Sequence, residues 1–440
     1  MKSLFDNSIR ILALVLAAVM LLSPQTVSAQ TPPPFLVAWG TPGSGPGQFG
    51  DDPLGIAVDH AGNVYVGDSG NNRVQKFTST GVYLTEWGAF GTGDGQFTGY
   101  LTVAVDDSNN IYVADFLSER VQKFTDVGVY LMQWGGPSTG FPGEPGKFDT
   151  LAGIAVDDSF NVYTNENIPD RVQKFTSVGV FLTLWGQSGS AEGELNFPDG
   201  VAVSTDGKVT VSDSGNFRME TFSTAGAFVQ MWGWGVSDGT PTFQRCTSGC
   251  RSGIPGNGDG QFGIMTYVAV DRSSRVYVAD SQNDRIQLFT PDGLFLLTWG
   301  SRGSGEGEFF GPSGIAVDRD GNVYVADRLN HRIQKFGPVT MGIEPTEAPR
   351  LLLLRPFPNP STGSFAFTVV MPQTGAASVA VVDVQGRLVR HIQSGALAAG
   401  QHTFHWDGRD GRGQPAATGL YVFLISRNGS TSSQKIMLYR

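Results

Sequence analysis

Short runs of four to six residues, rich in Val, Ile, Tyr and Phe and bounded by Gly, Asn or Asp, follow one another along most of the chain. That spacing predicts strands joined by tight turns rather than helices. The runs are ordered. An IAVD-like strand, an NVYVAD-like strand, a polar loop, an RVQKF-like strand and a hydrophobic strand ending in Trp-Gly recur six times. The second strands end at Asp68, Asp115, Glu166, Asp213, Asp280 and Asp327, spaced 47, 51, 47, 67 and 47 residues apart. Four strands per repeat make one propeller blade, so the pattern predicts an all-β chain whose main part is a six-bladed β-propeller. Tryptophans end the fourth strand at Trp87, Trp134, Trp185, Trp232 and Trp299, but the sixth repeat stops at Phe336. The segment FLVAWG at residues 35 to 40 matches VYLTEWG at 82 to 88 and supplies the missing outer strand. Closure by the N-terminal strand would hide two sheet edges.

Residues shared by every blade call for a structural explanation first. Five residues beyond each acid stands an arginine: Arg73, Arg120, Arg171, Arg218, Arg285 and Arg332. An acid ending strand two and an arginine opening strand three would hold the loop between them by a charge-assisted hydrogen bond. Glycine-rich runs such as GTGDGQF at 91 to 97 and GNGDGQF at 256 to 262 precede the first strands. They lack a following helix and the spacing of a calcium loop, so they read as inter-blade turns whose Phe plugs between sheets.

The IAVDRDGNVYVADRLNHRIQKF stretch of the last repeat, with Pro312-Ser313-Gly314 before it, resembles NHL repeats, and the resemblance covers residues 35 to 336. It implies a scaffold used mainly for binding. Six-bladed lyases and lactonases of similar shape place a metal at the centre of the ring, and this sequence departs from them. The ring holds only His60 and His331, on opposite faces. Both histidines read as surface residues, so neither metal nor cofactor is expected. A non-enzymatic ring is favoured over an extracellular hydrolase or lyase.

Charge narrows the partners. Residues 30 to 343 carry 34 acids and 19 bases, a net charge of −15, which disfavours nucleic acid. In residues 1 to 29, Lys2 and Arg10 precede or flank an apolar run at 11 to 22, Pro24 follows, and Val27-Ser28-Ala29 offers a cleavage site. This reads as a signal peptide, with a retained anchor as the alternative. An insertion between Trp232 and Phe262 carries both cysteines, Cys246 and Cys250, which an exported chain would join as a disulfide.

Residues 337 to 350 read as a linker, and 351 to 440 as a small antiparallel β-sandwich with hairpin tips at Gly386-Arg387, Asp407-Gly408 and Asp410-Gly411. PFPNPSTG at 356 to 363, GLYVFLI at 419 to 425 and the closing Lys435-Ile436-Met437-Leu438-Tyr439-Arg440 resemble the immunoglobulin-like domain of flagellar hook-capping proteins and, more closely, the sorting domains of type IX secretion cargo. The resemblance implies passage through the periplasm to a secreted or outer-membrane-attached state, with the type IX machinery as a partner. The residues left for ligand selection differ between blades and lie on the face of the strand two to strand three loops: Tyr100, Phe116, Asp199, Phe217, Trp234, Tyr267, Arg328 and His331. A monomer binding an extracellular protein, peptide or glycan there is the expectation.

Overall fold

The computed structural model describes residues 31–140, 143–339, 352–353, 361, 363–371, 375–398, 400–427 and 430–439. The signal-peptide reading of residues 1 to 29 and all but the first three linker residues lie outside them. The chain divides into two compact units, residues 1–341 and 342–440.

The first unit is the six-bladed ring. Blade 1 runs Pro53–Val58, Val64–Asp68, Arg73–Phe77 and Tyr83–Trp87 from the axis outward, each strand antiparallel to the next. Blades 2 to 5 repeat the order, with first strands Leu101–Val105, Leu151–Val156, Pro198–Val203 and Thr266–Val270. Blade 6 takes Pro312–Val317, Val323–Asp327 and Arg332–Phe336 from the end of the ring and Phe35–Trp39 from its beginning. Phe35 pairs with Phe336 and Trp39 with Ile333, which is the closure that the missing sixth tryptophan implies.

Packing between blades follows from the repeated residues. The apolar residue ending each glycine-rich turn (Phe49, Phe97, Phe148, Leu195, Phe262 or Phe309) is fully buried. Phe97 lies among Tyr65 of blade 1 and Ile111, Val113 and Phe124 of blade 2, so it fills the wedge between two sheets. Outer tryptophans pack on a glycine of the next blade: a Cβ on Gly81 would stand 2.6 Å from the Trp39 ring, and one on Gly128 equally close to Trp87. The first strands also meet backbone to backbone. A Cβ on Gly55 would lie 2.6 Å from the Thr102 Cα, so glycine is what lets the ring close so tightly.

The insertion is more ordered than a loop. Phe243–Cys246 adds a fifth strand to blade 4, pairing Met231 with Cys246 and Trp234 with Phe243. Cys246 and Cys250 are joined as a disulfide. The segment then crosses the strand two to strand three turn of blade 4, where Gly253 N–H donates to the Asn216 carbonyl.

In the second unit, Leu352–Leu353, Phe365–Met371 and Gly400–Trp406 form one sheet, and Leu388–Leu397, Gly375–Asp383, Gly419–Arg427 and Ser430–Leu438 the other. Phe365, Phe367, Trp406 and Phe423 meet between them, with Phe367 and Phe423 stacked at 3.8 Å. Gly386 turns a hairpin, as its sequence implies. Asp410-Gly411 opens a short antiparallel turn of its own, bridged between Arg409 and Pro415, whereas Asp407-Gly408 turns no hairpin. Both lie in a connection that leaves the first sheet at Trp406 and enters the second at Gly419, because burial of Trp406 between the sheets sends the chain across the core.

Candidate functional site

The repeated acid and arginine side chains are consumed by the scaffold. Arg73 Nε donates to Asp68 at 2.8 Å, and its two terminal nitrogens donate to the carbonyls of Ser44, Gly45 and Gln48 in the inter-blade turn. The same Nε bond joins Arg171 to Glu166, Arg218 to Asp213, Arg285 to Asp280 and Arg332 to Asp327. Blade 2 departs from it. Asp115 accepts from Thr98 N–H and Oγ1, while Arg120 keeps its bonds to the turn carbonyls of Thr92, Gly93 and Gln96. The threonine hydroxyl at 98 has taken the carboxylate.

Two mouths remain. The loop face carries the entries to the first strands and the strand two to strand three turns. There Asp199, at the start of the blade 4 first strand, accepts a hydrogen bond from Asn167 Nδ2 at 3.3 Å. Burial pushes its carboxyl up, against hydrogen bonds from Ser214, Asn167 and the Thr266 and Met265 backbone that favour the ionised form. Burial and then the Asp199 charge push the Tyr267 hydroxyl up, while Arg328 pulls it down, so these three groups share one field. Arg328 is paired with Asp52 at 3.3 Å. Tyr100 is exposed and meets Phe116 edge to face at 5.8 Å. His331 Nδ1 is 2.9 Å from the Gly50 carbonyl. Phe217, in the left-handed region at φ 54°, lies under the insertion: a Cβ on Gly253 would stand 2.2 Å from its carbonyl oxygen. Trp234 ends the fourth strand of blade 4, and its indole N–H donates to the Asp259 carbonyl. The structure thus brings Asp199, Tyr267, Arg328 and Tyr100 about the axis and sets Trp234 out on the rim. Between the first strands the channel narrows to a cavity of about 60 Å³ lined by Leu54, Thr102, Asp199 and Tyr267.

The wider opening is at the other end, which the sequence did not single out. A cavity of about 440 Å³ is framed by the turns after the six first strands. Each turn is braced by its leading residue. Asp59, for example, accepts from the N–H groups of Ala61 and Asn63, the Asn63 amide and the Tyr65 hydroxyl. The next residue projects at the rim, which puts His60 beside Asp107 and Arg319. The signal in the sequence was the variation at that one position among otherwise similar turns. Among the described residues, no three His, Cys, Asp or Glu side chains converge as a metal site would need, and no helix is long and apolar enough to cross a membrane.

The NHL repeat model matches residues 51–77 and 309–336, and the FlgD Ig-like domain model matches 359–430. The basal-body rod modification protein FlgD of Salmonella typhimurium is 35% identical over 72 residues, which is 16% of this chain and 31% of that protein, so the chain spans about a third of its curated relative. A Bacteroides thetaiotaomicron protein of unknown function shares the fold with 16% identity and a TM-score of 0.51, covering 68% of this chain and 74% of its own. PorZ of Porphyromonas gingivalis, a surface component of the type IX secretion system, aligns over 91% of this chain and 61% of its own at 16% identity and a TM-score of 0.37. By its repeats and its matched C-terminal segment, the chain is an NHL-repeat propeller followed by a FlgD-type immunoglobulin-like domain.

Proposed function

We propose that this protein is a non-enzymatic binding propeller, displayed on or released from the cell, whose loop face captures an extracellular protein, peptide or glycan. One observation carries the reading. The residues common to the blades are spent on structural bonds, whereas Tyr100, Tyr267, the half-buried Asp199 and Arg328, which is paired with Asp52, differ between blades and collect at the loop-face mouth. Aromatic and Arg side chains supply most of the energy at such surfaces. The hydrolase or lyase reading has no converging set of ligands behind it among the described residues.

Screening the mature chain on peptide and glycan arrays identifies the ligand class. Tyr100→Ala and Tyr267→Ala should then each weaken the retained ligand several-fold, since one aromatic anchor contributes on the order of 2 kcal/mol. An unchanged affinity in both variants, with melting temperature preserved, removes the loop face as the site.

Export is assigned to the C-terminal sandwich. Deleting residues 351 to 440 in the native host should leave a folded ring in the periplasm, which fractionation and immunoblotting would detect. Equal amounts of full-length and truncated chain outside the cell would rule out a sorting role.

A further inference from the structure

The wide mouth opposite the loop face carries an ordered set of charges. In blade order its rim residues are His60, Asp107, Asp158, Thr205, Arg272 and Arg319, all exposed and each projecting from a braced turn. The acids occupy neighbouring blades 2 and 3, and the arginines neighbouring blades 5 and 6. Blades three apart face each other across a six-membered ring, so each acid is opposite an arginine. Among the rim residues one side of the mouth is negative and the other positive; Asp59, Asp271 and Asp318 also line the cavity, but they brace the turns, and Asp271 is paired with Arg275.

Part of this set is already engaged. His60 Nε2 contacts both the Asp107 carboxylate and the Arg319 guanidinium, and Arg319 Nη2 lies 3.7 Å from Asp107 Oδ1. Asp158 and Arg272 make no hydrogen bond or ion pair among the described residues. They flank Thr205 and leave an acceptor and a donor fork facing the same opening. Below the rim, Val58, Val203, Val270 and Val317 line the cavity of about 440 Å³ with apolar surface.

We infer that this mouth is a second binding site, for a small zwitterion with an apolar body, namely a short peptide with both ends free. The ammonium would be received by Asp158, with Asp107 adding to the negative side, and the carboxylate by the planar fork of Arg272, which matches it bidentately. The valines would take apolar side chains. A polyanion meets the two acids and a polycation the two arginines, so the arrangement selects against either. Exposed ion pairs are individually weak, and the apolar floor therefore supplies a share of the affinity.

Calorimetric titration of the mature chain with leucyl-leucine, N-acetyl-leucyl-leucine and leucyl-leucine amide tests this. The free dipeptide should bind, and blocking either end should weaken binding by about tenfold. Asp158→Asn should weaken the free dipeptide and remove the penalty of N-acetylation, and Arg272→Gln should do the same for amidation. Both residues are exposed on turns, and an unchanged melting temperature confirms that the variants fold. No binding of the free dipeptide at millimolar concentration, equal binding of all three probes, or unchanged affinity in both variants overturns the inference. Because the residues belong to the mouth opposite Tyr100 and Tyr267, the loop-face reading stands or falls separately.

Discussion

A chain starting at Gly43 should fail to form a stable monomeric ring, whereas one starting at Gln30 should melt cooperatively. Residues Phe35–Trp39 are the outer strand of blade 6, and without them the Arg332–Phe336 strand has an open edge. More than a ladder is lost. Trp39 meets Tyr324 of blade 6 at 6.4 Å and Phe77 of blade 1 at 5.9 Å, and its ring lies on Gly81, so it fastens the last blade to the first. Truncating this half-buried side chain alone, as Trp39→Ala, should cost about 3 kcal/mol. In a domain of this size that lowers the melting temperature by roughly 5 °C. Losing the whole strand removes its backbone pairing as well, which is comparable with the 5–15 kcal/mol total of an ordinary domain, and bares an edge that recruits other chains. Calorimetry with light scattering checks both. An identical melting temperature and a monomeric truncated chain would show that the ring closes some other way.

The ring was legible because each repeated residue has a local, recurring reason. An acid, an arginine five residues on, a plugging apolar residue and a Trp-Gly recur in successive blades, so repeated copies of a weak signal add up to a strong one even though blade 4 plugs with Leu195 and Thr98 takes the Asp115 carboxylate in blade 2. Recognition of the two mouths was less complete. Asp199, Tyr267 and Arg328 could be placed by counting strand directions, but how far the loop-face channel opens depends on backbone contacts such as Gly55 against Thr102, which link residues almost fifty positions apart. The rim of the opposite mouth escaped notice for another reason. His60, Asp158 and Arg272 each look like ordinary turn residues, and only the closed ring shows that acids and arginines face each other. The fifth strand at Phe243–Cys246 is four residues long and is ordered by pairing with Phe228–Trp234 and by the disulfide, neither of which local periodicity can display. Likewise Asp407-Gly408 has the composition of a hairpin turn, and what overrides it is the burial of Trp406, a tertiary effect.

Replacing Glu220 by Gln should stabilise the ring at mildly alkaline pH and leave it nearly unchanged at acidic pH. The third strand of the other blades carries a buried glutamine at the equivalent position: Gln75, Gln122, Gln173, Gln287 or Gln334. In blade 1 the Gln75 amide donates to the Gln48 carbonyl at 2.7 Å and to Asp68 at 3.1 Å, and its oxygen accepts from Gly47 N–H. Blade 4 has a carboxyl there instead. Glu220 accepts from Gly193 N–H and lies 2.6 Å from Arg218 Nη2, but Asp213 already uses the same arginine, and all three side chains are fully buried. Burial pushes the Glu220 carboxyl up to about 9 despite the pull of Arg218, with Asp213 adding to the rise. Burial likewise raises Asp213 to about 6. Both groups hold their protons more tightly folded than unfolded. Stability is therefore complete below the unfolded carboxylate range and is lost as pH rises toward the folded values. Each unit of pH across which Glu220 must stay protonated costs about 1.4 kcal/mol. A glutamine does not titrate, and its amide can donate to the turn carbonyl and Asp213 as in the other blades. Glu220→Gln should thus gain on the order of 5 kcal/mol over the native chain near pH 8 and little near pH 4.5, giving a flatter dependence of stability on pH. Urea melts of both chains across that range provide the measurement, and a variant no more stable at pH 8 than at pH 4.5, relative to the native chain, would mean that Arg218 neutralises both carboxylates after all.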